Sequence, residues 1–408
     1  MPSLDILGDD LKVTLTSGEI VRFAHLDYAA SAPCVRAAAD AVQDLLPRYG
    51  SVHRGTGVRS RGSTLAYELA RDVVAEFVGA RPGDAVIFTR NTTDALNLLA
   101  RALPAGTTTV QFEGEHHANL LPWPNPLRLP LPSSVEDAVA SLRRALESLD
   151  GPAVLTVTGA SNVTGEVWPV RELAEVARAH GVRVIVDAAQ LAPHAPVSLD
   201  DLGADYLAFS GHKLYAPFGA GVLAGRSDWL DAAGPYLAGG GASAVVGDRP
   251  GDLTWATGPA RHEGGTPNLV GAVALAAVCE ALTAADRTAL HEHEQSLLAG
   301  LRDGLAGLPG VTEVSVFGPD HPRVGIVSLA LDGHDPAVVA RRLDTEHGIG
   351  VRAGQFCAHP LVRRLTGDDR TAACTAGVPG LLRVSFGLGS TAEETSRLAA
   401  GLRAVLRT

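Results

Sequence analysis

The feature that most constrains this chain is a repeated change of period. Short apolar runs alternate with longer stretches whose apolar residues recur at helical spacing. AVIFT at 85–89 reads as a strand and DALNLLARAL after it as a helix. TTVQFEG, AVLTVTG at 153–159, VRVIVDAA, YLAFSG and GAGVLAG read as further strands, and VRELAEVARAHG as a helix closed by Gly181. Strands that alternate with helices in this way are buried in a mostly parallel sheet with helices on its faces. The expected class is therefore α/β.

Beyond about residue 275 the texture changes. Long helical patterns at 286–306, 335–346 and 391–405 surround the strand-like runs RVGIVSLAL, GIGVRAG and LLRVSFGLG. At 408 residues the chain exceeds what one core usually holds. The expectation is a large α/β domain over 20–275 and a smaller α+β domain over 276–408, joined by the N-terminal segment 1–19.

A net charge of −11 with no arginine run argues against a nucleic-acid partner. The opening MPSLDILGDD has neither the basic start nor the apolar centre of a signal peptide, and the apolar stretch GAVALAAVCEALTAA is short and carries Glu280. A cytoplasmic protein with no membrane partner is expected. Cys34, Cys279, Cys357 and Cys374 are scattered without C-x-x-C or Cys/His spacing, so neither a disulfide framework nor a metal site is expected.

In an open parallel sheet, ligands sit beyond the carboxyl ends of the strands. There the sequence places Asn91, Thr92 and Thr93 between a strand and a helix, where hydroxyls and free backbone N–H groups make a phosphate cradle. Asp187 ends a buried strand, where a carboxylate needs a cationic partner. His116 and His117 are adjacent, a spacing unsuited to metal, while a flat ring there could stack on an aromatic ligand.

Among the 34 basic residues only Lys12 and Lys213 are lysines. Arginine can replace lysine as a solvated charge, but it cannot deprotonate near neutrality or condense with a carbonyl. Lys213, in FSGHKLYAPFG after a buried strand, is therefore read as a chemical amine, and Lys12 as a surface charge. Amine, carboxylate, stacking ring and phosphate cradle together describe a site for pyridoxal 5′-phosphate.

The ordered motifs HLDYAASAP, SVHRGTG, FTRNTTDALN, EHHANLLPW, SNVTGE, VDAAQ, FSGHKLYAPFG, GGGAS, HEGGTPN, VRAGQFCAHPL and LLRVSFG span nearly the whole chain. In these the chain resembles the class V aminotransferase-like pyridoxal-phosphate enzymes of fold type I, and within them the cysteine desulfurase and selenocysteine lyase branch. The resemblance implies that Lys213 carries the cofactor and shuttles protons, that His116 stacks on its ring, that Asp187 pairs with the ring nitrogen and that Gln190 meets the phenolic oxygen. It implies that Thr93, Ser210 and His212 hold the phosphate together with Thr266 of a second subunit, hence a homodimer with a shared site. Asn162 and Arg383 look like the substrate carboxylate binders, with Arg352, His53 and Arg54 as further candidates.

Cys357 occupies the place of the loop cysteine that takes sulfur from L-cysteine as a persulfide and leaves L-alanine. A loop thiol beside cationic groups such as Arg352 or His359 is favoured as a thiolate. Where desulfurases of this branch tend to carry a histidine pair before the cysteine, this chain reads Gln355 and Phe356. The implied activity is cysteine desulfuration, with a small amino acid as substrate and a protein or small thiol as sulfur acceptor. The alternative is a C–S lyase, or a related β-elimination or epimerisation enzyme, acting on a modified amino acid; it needs Lys213 but not Cys357. A non-catalytic scaffold would need neither. A nicotinamide site is excluded because GAGVLAG lacks the G-x-G-x-x-G spacing.

Overall fold

The computed structural model describes residues 4–53, 55–367 and 380–407; Arg54 and Cys374, both singled out in the sequence, lie outside the described residues. Seven strands form the central sheet: β1 (Asp84–Thr89), β2 (Thr108–Phe112), β3 (Pro126–Leu129), β4 (Ala153–Thr158), β5 (Arg183–Asp187), β6 (Tyr206–Ser210) and β7 (Gly221–Arg226). Their order is β3-β2-β4-β5-β6-β7-β1. The pairings from β3 through β6 are parallel, while β7 runs antiparallel to both β6 and β1. The strands are rich in Val, Ile and Leu without alternation, as burial on both faces requires.

The reversed strand β7 shapes the ligand end of the sheet. Its first residue, Gly221, lies opposite both Thr89 and Ser210, so the carboxyl ends of β1 and β6 flank it. A Cβ at Gly221 would come within 2.5–2.8 Å of the Asn91 backbone. Glycine is what lets the turn after β1 close down over β7.

Helices Arg36–Leu45, Val58–Phe77 and Leu269–Ala284 cover one side of the sheet. The last of these is apolar nearly all round and buries ten of its residues, including Cys279, in the larger hydrophobic core. Among the described residues no single helix is long and apolar enough to cross a membrane.

A second sheet contains β8 (Val311–Glu313), β9 (Ile326–Leu331), β10 (Arg352–Gly354) and β11 (Leu381–Ser385) in the order β8-β9-β11-β10, all antiparallel. It packs with helices Arg287–Leu305, Pro336–His347 and Ala392–Leu406 around a separate core that also takes in Ala24 and Leu26. The run GIGVRAG, expected as one strand, divides. Ile349–Gly350 pairs with Ala24–His25, and only Arg352–Gly354 joins β11. The division sets Arg352 directly opposite Arg383, two like charges that need a carboxylate between them.

Candidate functional site

A cavity of about 290 Å³ opens at the carboxyl ends of the central strands, and Lys213 projects into it. Burial drives the Lys213 amine down to about 8, against the attraction of Asp187 and with help from Arg383. Asp187, buried at the end of β5, is pushed up by desolvation and held back by Lys213 and by the Ala189 N–H, which donates to Oδ1 at 3.0 Å. The pair sits where sequence reasoning placed a chemical amine and its carboxylate.

His116 caps the short helix His117–Leu120, with Nδ1 accepting the Ala118 N–H at 3.0 Å. That bond leaves the ring proton on Nε2 in the neutral form. Desolvation, reinforced by Lys213, His117 and Arg383, lowers His116 to about 3. The ring is therefore a neutral flat surface at the mouth of the cavity across the physiological range. Gln190 donates its amide to Ala29 O at 2.8 Å, which leaves its carboxamide oxygen for the cavity.

The hydroxyl and N–H groups after β1 gather at a helix start. Asn91 caps helix Thr92–Ala102 by accepting the Asp94 N–H. Ser210 Oγ is 2.7 Å from both Thr92 N and Thr92 Oγ1, tying the end of β6 to the helix start. Thr93 and His212 complete the lining. His212 is lowered by burial and by Lys213, and its Nδ1 lies 3.4 Å from Ser31 Oγ.

At the opposite wall, Arg383 is 2 % exposed on β11, so its charge must be balanced inside the protein. Nη2 donates to Asp27 Oδ1 at 3.1 Å and Nη1 to Asn162 O at 3.0 Å, while buried Nε has no partner among the described residues. Arg352 donates through Nε to the other oxygen of Asp27 at 3.0 Å. Asp27 thus bridges the two arginines that the strand register brings together. It was not singled out in the sequence, because its partners lie more than 320 residues away.

Cys357 is an exposed thiol on the loop between β10 and helix His359–Thr366, and it lines the same cavity. Both Phe356 and Cys357 have left-handed backbone, with φ of 50° and 53°. A bulky residue there is strained and must be held by its surroundings. The His117 N–H donates to Cys357 O at 2.7 Å, and Asn162 Nδ2 donates to Phe356 O at 2.8 Å. The Arg383 guanidinium lies over the Phe356 ring at 4.8 Å. His117 and His359 meet edge to face, with ring centroids 4.5 Å apart.

Two expected residues are not brought to this cavity by one chain. His53 bonds Glu68 through Nε2 at 2.6 Å and lines a second cavity of about 300 Å³ with Arg71, Glu263 and Gly265. Thr266 is exposed beside that cavity. Glu115 escaped the sequence reading altogether. It is fully buried, accepts from Thr158 N at 2.9 Å and from Asn119 Nδ2 at 2.8 Å, and is raised by desolvation to about 8. The only signal for it was its place before the histidine pair.

The donor set fits a phosphate-bearing pyridine aldehyde. A half-buried amine of lowered affinity for protons shares the cavity with a buried carboxylate, a neutral ring lines it, N–H and hydroxyl donors cluster at a helix start, and a guanidinium keeps one donor unpartnered among the described residues. The family model for aminotransferase class-V matches residues 24–398. Similar proteins include a cysteine desulfurase of Dickeya dadantii, 37% identical over 94% of this chain and 92% of the relative, and one of Pectobacterium atrosepticum, 35% identical over 94% and 93%. Among solved structures, the apo cysteine desulfurase of Thermococcus onnurineus NA1 superposes with a TM-score of 0.84 at 30% identity, covering all of both chains. A cysteine desulfurase of Escherichia coli gives 0.80 at 31%, covering 94% of this chain and 95% of that one.

Proposed function

The chain belongs to the aminotransferase class-V family, and we propose that it is a pyridoxal-phosphate-dependent cysteine desulfurase of fold type I that converts L-cysteine to L-alanine and takes the sulfur on Cys357. The observation that carries this reading is the placement of an exposed thiol, a half-buried amine and a buried guanidinium around one cavity. A C–S lyase has no use for that thiol.

When bound, the cofactor supplies an electron sink that weakens the bonds at the substrate Cα. Lys213 would hold it, with Asp187 at the ring nitrogen, His116 on the ring face, Gln190 at the phenolic oxygen, and Thr92, Thr93, Ser210 and His212 at the phosphate. Arg383 binds the substrate carboxylate through its free donor, beside Asn162. Lys213, with its affinity lowered to about 8, exchanges a proton at Cα near neutral pH. The Cys357 thiolate attacks the substrate sulfur. An S–S bond forms, the Cβ–S bond breaks with its electron pair left on carbon, and a proton taken up at Cβ completes alanine.

Assembly as a homodimer follows from the same reading. Exposed Val58, Leu65 and Leu69 share one stretch of helix Val58–Phe77, and Val245, Val246 and Leu253 are exposed on a two-stranded hairpin. A second copy would cover them and bring Thr266 and His53 toward the partner's cavity. The sulfur acceptor would be a protein or small thiol reaching exposed Cys357, in the cytoplasm.

The test is product analysis after incubation with pyridoxal phosphate, L-cysteine and a reductant. Equal alanine and sulfide from the wild type, both lost in Cys357→Ala, support desulfuration. Pyruvate that persists in Cys357→Ala overturns it in favour of the C–S lyase.

A further inference from the structure

We propose that Phe356 is a positioning residue that couples the carboxylate-binding guanidinium to the nucleophilic thiol; this rests on the functional reading above. The geometry is a closed triangle. Arg383 Nη1 donates to Asn162 O at 3.0 Å, Asn162 Nδ2 donates to Phe356 O at 2.8 Å, and the Phe356 ring returns to the Arg383 guanidinium at 4.8 Å. Each corner sits on a different part of the chain: β11, the segment after β4, and the loop that carries Cys357.

The backbone at the third corner gives the triangle its force. Phe356 and Cys357 both hold a left-handed conformation that neither residue favours, so the contacts on Phe356 fix where the next residue points. From the other side the Cys357 carbonyl is held by the His117 N–H. The thiol is thus presented by a turn whose ring rests on the group that seats the substrate carboxylate. The face of an aromatic ring attracts a guanidinium and limits its orientations, which directs Arg383 Nε, a donor without a partner among the described residues. A histidine here would share the stacking but also titrate; phenylalanine makes the contact independent of pH.

Two readings on the cofactor-loaded protein test this, neither of which requires sulfur transfer: the dissociation constant for the unreactive product L-alanine, and the alkylation rate of Cys357 by iodoacetamide. Phe356→Leu keeps the apolar bulk and loses the ring face. It is expected to weaken L-alanine binding by roughly 3- to 30-fold, the range from an exposed to a desolvated cation–π contact, and to change the alkylation rate in the same variant. Phe356→Tyr should restore both, and Asn162→Ala should disturb both. If Phe356→Leu moves only one reading, or leucine and tyrosine behave alike, the coupling is refuted. Wild-type protein that binds no L-alanine would instead overturn the functional reading from which the inference starts.

Discussion

Cys357 hangs its carbonyl oxygen on the backbone N–H of His117, 2.7 Å away, one residue beyond the His116 ring that lines the same cavity. The loop of the exposed thiol and the loop of the histidine pair are therefore a single joint. This contact leaves the Cys357 side chain exposed while its backbone is fixed. Replacing Cys357 with Ala should remove alanine formation from L-cysteine to background while leaving cofactor binding within about twofold of wild type, as read by visible absorbance. Loss of cofactor in that variant would mean the thiol is structural.

Lys213 supplies a prediction in pH. Its amine is driven to about 8, so it is protonated below that value and free above it. The rate at which the apoprotein captures pyridoxal phosphate should rise through about pH 8 and then level off, where an ordinary lysine would keep gaining reactivity toward about 10.4. Stopped-flow absorbance over that range checks it. Lys213→Ala should abolish the bound chromophore and lower turnover by at least roughly 10²- to 10⁴-fold.

Glu115 links the site to stability. Its affinity for a proton is raised to about 8 in the fold and returns to about 4.3 when unfolded, so between these values the native state holds more protons. The contribution is complete below the unfolded value and is lost as pH rises through about 8. Glu115→Gln should therefore flatten the fall in stability between about pH 5 and 8, by at most about 1.4 kcal/mol per pH unit. Denaturant unfolding of both proteins at several pH values measures it, and parallel slopes would show that Glu115 is ionised throughout.

Gly221 lies tight against the turn after β1, where a Cβ would meet the Asn91 backbone. Gly221→Ala forces a methyl group against the Asn91 backbone and should cost about 1–3 kcal/mol of stability. Because Asn91 caps the helix that starts at Thr92, cofactor affinity should fall in the same variant. A variant with unchanged affinity for pyridoxal phosphate would separate the cap from the cradle.

Much of this site was legible because its members announce themselves locally. Lys213 stands out in a chain that has almost no lysine, Asp187 ends a buried strand, and Asn91 through Thr93 sit at a strand-to-helix turn. What escaped depends on register between distant segments. Asp27 gains its meaning only when β10 and β11 set Arg352 against Arg383. Phe356 read only as a departure from a histidine pair, and its packing on Arg383 could not be seen from spacing. His53 carried a local motif but no indication that it would turn toward Glu68 and a different cavity. The division of GIGVRAG into two strands likewise depended on Ala24–His25, far upstream.

The contacts that define the cavity also impose an order on its making. Thr92 and Ser210 are 118 residues apart, and Asp27 and Arg383 are 356 apart. As a chain leaves the ribosome from its N-terminus, the contact between Thr92 and Ser210 must wait for β6, and the Arg383 guanidinium joins Asp27 only after every strand of the central sheet has been made. Until Arg352 and then Arg383 emerge, Asp27 is an early-made carboxylate without a counter-ion. Both arginines that Asp27 bridges emerge after Lys213 and the strands of the central sheet, so the wall that carries them is the last part of the cavity to be completed.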